Sequence, residues 1–115
     1  MATGSIKTTK TQSGGFTPNG SVTANNLLIK QSGSVVFVGG YLSNVSAGSN
    51  VRLGTFTGIK APNNVLRFLC GVADQAYQHP QDVAYCTIGT DLSLSINSTA
   101  SGTKAVYFNV TWIVA

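Results

Sequence analysis

Acidic residues are nearly missing from this chain: Glu is absent, and Asp74, Asp82 and Asp91 are the only Asp. His79 is the single His, Trp112 the single Trp, and charged residues make up 9% of the 115, against about a quarter in an average soluble domain. So few ionisable groups leave little with which to do general acid–base chemistry, and an enzyme is not the expected class. Cys70, Cys86 and His79 do not make a zinc site, which wants four ligands at close spacing. No metal and no cofactor is expected. No apolar run approaches the ~18–20 residues of a helical membrane span, so membrane insertion is not expected. The first residues, "MATGSIKTTKTQSGG", lack the apolar centre of a signal peptide. Synthesis in a cytoplasm is therefore expected, and the sequons at Asn44 and Asn109 are not expected to carry glycans.

The formal net charge is +4, but Lys7 and Lys10 fall in a segment that reads as a leader. The remaining cations, Lys30, Arg52, Lys60, Arg67 and Lys104, are scattered singly with no basic run. Nucleic-acid binding asks for a clustered basic face with interleaved aromatics, and none is visible.

What the chain does have is Ser, Thr, Asn and Gly around short apolar runs. Residues 1–26 hold few apolar side chains, chiefly Ile6, Phe16 and Val22, and read as a flexible leader or attachment segment. Residues 27–115 read as one β domain, one domain being what this length supports. "LLIKQ" (27–31) meets "VVFVGGYLSNV" (35–45) across Ser32-Gly33-Ser34, a hairpin signal. Gly39-Gly40 inside the second run suggests a bulge or bend. "VRLGTFT" (51–57), "VLRFLCGVA" (65–73), "DVAYCTIGT" (82–90), "LSLSI" (92–96) and "AVYFNVTWIVA" (105–115) follow, separated by turn clusters. In the last run Val106, Phe108, Val110, Trp112 and Val114 share one face, and Tyr107, Asn109 and Thr111 the other. No window shows a helical repeat. The expected fold is all-β: an antiparallel sandwich of jelly-roll type, or a small barrel.

The two cysteines flank the loop that carries His79. Placing Cys70 opposite Cys86 in a hairpin also sets Phe68 against Ile88 and Val72 against Ala84, all on one face. That register favours buried structural thiols, with a cross-strand disulfide as the alternative. A Cys nucleophile needs a base within hydrogen-bond reach, and His79 projects from the loop end. Asp74, His79 and Asp82 form a conceivable acid–base cluster, though Asp at strand ends more simply makes turn hydrogen bonds. The loop "ADQAYQHPQD" is a better binding candidate. Tyr77, Gln78, His79 and Gln81 offer an aromatic surface beside planar hydrogen-bonding groups, the combination a sugar site uses. An ordinary polar loop is the plainer reading. Tyr41 and Tyr107 are secondary candidates that could equally face a neighbouring subunit.

From residue 51 onward the signals fall in a recognisable order. "LGTFTGIKAPNNVLRF" carries a Pro62 crossover, and Ile88, Thr90, Asp91, Leu92, Leu94 and Ile96 stand at the positions of an I-x-x-D/N-G-x-L-x-I hairpin. Phe108 and Trp112 lie in an aromatic closing strand after Gly102. The Gly that usually follows the Asp of that hairpin is replaced here by Leu92. This order resembles the distal, receptor-binding domains of bacteriophage tail-fibre, baseplate and head-fibre proteins. The resemblance implies a compact β-sandwich that assembles as a homotrimer in the virion and contacts a host cell-surface glycan. Other virion proteins would be met through residues 1–26. A monomeric carbohydrate-binding or lectin-like module, or a purely structural virion decoration protein, are the alternatives.

Overall fold

The computed structural model describes residues 11–75 and 78–114, the side chain of Asn25 excepted, and within them the backbone is strand and turn with no helix. The strands are β1 (Thr11–Ser13), β2 (Gly15–Pro18), β3 (Thr23–Ser32), β4 (Val35–Ala47) and β5 (Val51–Thr57). After the Pro62 crossover come β6 (Leu66–Ala73), β7 (Asp82–Ile88), β8 (Ser93–Asn97) and β9 (Gly102–Ile113). They form one antiparallel sheet in the order β1-β3-β4-β9-β6-β7-β8-β5-β2.

The two ends of that order belong to one piece of chain. β1 and β2 are a single extended segment that changes partner at Gly14, pairing first with β3 and then with β5. The sheet is thereby nearly closed into a barrel, which removes most free edges. Gly14 is needed where the segment switches. A Cβ there would lie 2.6 Å from Ile29 Cγ2 and 2.6 Å from the Thr57 carbonyl oxygen, and the Gly14 N–H donates to Ile29 O at 3.0 Å. Residues 11–26 are therefore not a flexible leader. Phe16 is half-buried against the core, its ring 4.9 Å from that of Phe56, and apolar contact of this kind outweighs a Ser/Thr-rich composition. Residues 1–10 lie outside the described part of the chain.

Period-2 alternation sends one face of the longer strands into the barrel. Val36, Val38, Leu42 and Val45 on β4 meet Val106, Phe108 and Trp112 on β9, and Leu53, Phe56, Ile88, Leu94 and Ile96 fill the opposite wall. The split expected in β9 is present: Val106, Phe108, Trp112 and Val114 are buried while Asn109 and Thr111 are exposed. Gly40 has φ +130, but both ladders run regularly past Gly39-Gly40, and the irregularity in the β4–β9 pairing falls between Leu42 and Val45 instead. The crossover covers one barrel end, with Ile59 and Pro62 buried. There the buried Gln31 amide accepts from Lys60 N at 2.9 Å and donates to Gly33 O at 2.9 Å, and Trp112 Nε1 donates to Lys60 O at 3.0 Å. Each of those bonds satisfies a polar group that burial would otherwise penalise.

The β6–β7 hairpin has a register two residues away from the sequence expectation. Cys70 faces Ala84 and Phe68 faces Cys86, so the thiols are diagonal neighbours on the inner face. The expected register would have carried Asp74 opposite Asp82, and like charges across a pair are destabilising. In the observed one Asp74 is free to pair with Lys104, and the large Phe68 meets the small Cys86. At the β7–β8 turn, Leu92 occupies the left-handed position (φ +67) where Gly was anticipated. Asp91 Oδ1 accepts from Ser93 Oγ at 2.6 Å and from Ser93 N at 3.0 Å. These two bonds, with the Arg52 guanidinium 4.0 Å away, hold the Asp91 carboxyl below its ordinary pKa.

Candidate functional site

The loop joining β6 to β7 stands at the barrel end opposite the crossover. Tyr77, the aromatic member of the expected site, lies outside the described residues. Gln78, His79 and Gln81 are exposed. Gln81 N donates to Val72 O at 2.9 Å, so the loop's return is anchored on β6. Pro80 lies over Gly71, where a Cβ would come within 2.7 Å of Pro80 Cγ. His79 is thus held on the rim, away from the buried thiols. Asp74 turns instead toward Lys104, whose Nζ donates to Asp74 Oδ1. Among the described residues, no three His, Cys, Asp or Glu side chains gather as metal ligands.

Beside this loop the fold assembles a polar cleft that the sequence did not announce. It encloses about 340 Å³ and is lined by Ser43, Asn44, Asp74, Gln75, Thr103 and Lys104 with Ala105. The lining comes from the bulged end of β4, the start of β9 and the first loop residues. Asn44 is in the left-handed region (φ 56), and its Nδ2 donates to Thr23 Oγ1 at 2.8 Å. Amide, hydroxyl, ammonium and carboxylate groups thus converge at the start of the loop that carries Gln78, His79 and Gln81, and Gln78 N donates to Gln75 O at 3.4 Å. The missing signal was the β4–β9 register, which shifts between Leu42 and Val45 and brings Asn44 to the cleft wall.

A second, larger concavity of about 940 Å³ runs along the outside of the barrel. Tyr41 and Tyr107, ring centroids 5.3 Å apart, stand in its wall with Asn26, Leu69 and Asn109, and none of its lining side chains is charged. No protein-family model matches the chain, and neither the curated proteins nor the solved structures contain a significant match. The site is therefore read from its own geometry.

Cys70 and Cys86 are both free and buried. The hydrogen bond to Cys70, then burial, then the charge of a Cys70 thiolate push the Cys86 thiol far above its ordinary value. The same bond lowers Cys70, with burial opposing. The pair therefore gives up at most one proton while folded, whereas the unfolded chain loses two near the ordinary value of 9.0. Because Cys86 is raised, its contribution to stability is complete below pH 9 and is lost as pH rises above it. Unfolding free energy under reducing conditions should fall above pH 9 by about 1.4 kcal/mol per pH unit, one proton's worth. Urea titrations from pH 7.5 to 10 should show that decline in the native chain and not in the double variant Cys70→Ala/Cys86→Ala. Equal slopes would mean that the thiols ionise alike in both states.

Proposed function

We propose that this chain is a binding domain, not a catalyst, and that it holds a neutral saccharide at the loop end of the barrel. The observation carrying the reading is the meeting of the polar cleft (Asn44, Gln75, Thr103, Lys104) with the rim formed by Gln78, His79 and Gln81. Short planar hydrogen-bonding groups on a rigid β frame suit sugar hydroxyls. Asp74 and Lys104 satisfy each other, so the cleft carries little net charge to attract ions. Tyr77, two residues before His79 in the same loop, is the side chain assigned to stack on a sugar ring.

The resemblance to phage fibre tips supplies the setting: a virion domain, trimeric, gripping a host surface through several weak sites at once. Three linked sites raise avidity by orders of magnitude over one. A monomeric lectin-like module is the second reading. The near-closure of the barrel favours it, because such a fold buries its own strand edges without a neighbour.

Glycan-array binding by the native chain is the test, followed by titration of whichever neutral oligosaccharide scores. His79→Ala with Gln81→Ala, and separately Tyr77→Ala, should weaken it tenfold or more, since about 1.4 kcal/mol is a factor of ten. Thermal unfolding should move little. Binding that survives all three substitutions would place the ligand elsewhere. Light scattering then separates the two settings, as a mass near three times 11.9 kDa indicates the fibre-type trimer and a single mass the module.

A further inference from the structure

We infer that the seam between β6 and β9 is a second binding site, built to accept an extended, uncharged polypeptide segment of a partner chain as an added strand. The ladder joining β6 to β9 is short: it runs from Ala73↔Ala105 to Gly71↔Tyr107 and stops. β9 continues for six more residues beside β4, as far as Ile113 opposite Val35. β6 continues back to Leu66 beside β7. Below Tyr107 the two strands keep their other partners and part from each other.

Among the described residues, β9 has no strand partner on this side beyond Tyr107, and the direction of its backbone groups follows from one bond beyond the strand end. Val114 N donates to Ser34 O at 2.8 Å, so Val114 points toward β4. Backbone polar groups alternate sides along a strand, and the β4–β9 register is regular from Leu42↔Val106 to Val35↔Ile113. Asn109, Thr111 and Ile113 therefore aim their N–H and C=O groups at the β6 side, beyond the end of the ladder. All three are exposed, Ile113 to 73%. Gly71, the last β6 residue paired with Tyr107, fixes the same parity on the other bank, so Leu69 directs its backbone groups into the seam. It too is 73% exposed.

The outer concavity lies over this parting, reaching Cys70 and Phe108 on the inner side and Gly39, Leu69 and Asn109 on the outer. No charged side chain lines the concavity itself, Arg67 standing further along the β6 bank and exposed, and an open strand edge selects for a backbone. From Asn109 to Ile113 is five residues, about 17 Å of strand, enough for a short extended peptide with alternate residues bonded to β9. Exposed edges that are to stay unpaired generally carry charge, Pro or a bulge. Here the edge residues are Asn, Thr and Ile.

The test uses the full chain and two probes, acetyl-Thr-Val-Thr-Val-Thr-amide and the same peptide N-methylated on alternate residues. In the free protein, amides of Asn109, Thr111 and Ile113 should exchange with solvent at least a hundredfold faster than those of Val110 and Trp112. Addition of the unmethylated peptide should slow those three, and the methylated form should bind at least tenfold more weakly. Ile113→Lys should abolish peptide binding, while Ile113→Val keeps it and shows that the edge itself is intact. The saccharide site is at the other barrel end, so Ile113→Lys should leave glycan binding as it was. Slow exchange at the three amides, or equal binding of both peptides, would overturn the inference. Self-association that is lost in Ile113→Lys would also overturn it, by making a second copy of this chain the occupant.

Discussion

A chain that begins at Asn19 should fail to fold cooperatively, when compared with one that begins at Thr11. The eight residues 11–18 close the barrel, and their removal acts at both edges they join. β3 loses the ladder from Thr11↔Ser32 to Ser13↔Lys30, and β5 loses the ladder from Gly15↔Thr57 to Pro18↔Gly54. Phe16 leaves Phe56, a residue 1% exposed in the native fold, and an aromatic pair of this kind is worth about 0.5–1.5 kcal/mol beyond its burial. Full burial of a phenylalanine side chain is worth about 1.5–3 kcal/mol, of which the half-buried Phe16 supplies a part. The expected loss, about 4 kcal/mol with the ladder bonds included, is a large share of the ~5–15 kcal/mol that keeps a typical domain folded. Two newly bare edges would also invite association between chains. Urea unfolding followed by near-UV circular dichroism gives the answer: a missing or strongly shifted transition is expected, and an unchanged midpoint would mean that the segment only decorates a barrel stable without it. Gly14→Val should reproduce much of the effect in the full-length chain, because its Cβ would meet Ile29, Thr57 and Ile59 together.

That segment also shows where sequence reasoning ran out. Thr11, Gln12, Ser13 and Thr17 have little hydrophobic content, and β1 is exposed at all three positions. Nothing in such a stretch advertises a strand, because its stability comes from partners far away in the chain. By contrast, strands from β4 onward announce themselves through their own alternation, and the facing of β9 was readable although its bounds, expected at 105–115, are Gly102–Ile113. The hairpin holding the cysteines was legible in its inner face and not in its register. The thiols suggested one alignment, and the charges of Asp74, Asp82 and Lys104 favour another, which only a third strand makes available. His79, Gln78 and Gln81 could be nominated from residue type alone. Asn44, Thr103 and Lys104 could not, since they converge through the β4–β9 pairing of segments about sixty residues apart. The outer seam was hidden for a related reason: a ladder's end is a property of two strands and leaves no mark on either. Tyr41 and Tyr107 were visible as aromatics on an outer face, and their 5.3 Å approach follows from direct pairing across β4 and β9.

Gly40→Ala should be among the most damaging single-methyl changes in this protein. Gly40 lies within β4 opposite Leu27, at φ +130, a region that residues with a Cβ rarely adopt. Strain alone would cost about 1–3 kcal/mol. The added carbon would also stand 1.9 Å from the Asn26 carbonyl oxygen and 3.1 Å from Leu27 Cα. These are backbone atoms, so no rotamer change relieves the contact, and β3 must move away from β4. Asn26 then shifts from Tyr41, whose hydroxyl accepts from its Nδ2 at 2.8 Å. The combined cost should exceed about 3 kcal/mol, a size reached through only a few mechanisms, and lower the melting temperature by roughly 10 °C or more. Gly20 and Gly102 separate the two contributions. Both have positive φ, +63 and +90, and neither has any atom within 4 Å of a built Cβ. Alanine at Gly20 should therefore show only the left-handed penalty of about 1–2 kcal/mol, and alanine at Gly102 only its own backbone strain. If Gly40→Ala melted alongside Gly20→Ala, the close approach of β3 to β4 would have to be elastic, with Asn26 able to retreat at little cost. A drop several times larger fixes that approach as rigid, and with it the bank of the outer groove that Asn26, Gly40 and Tyr41 share.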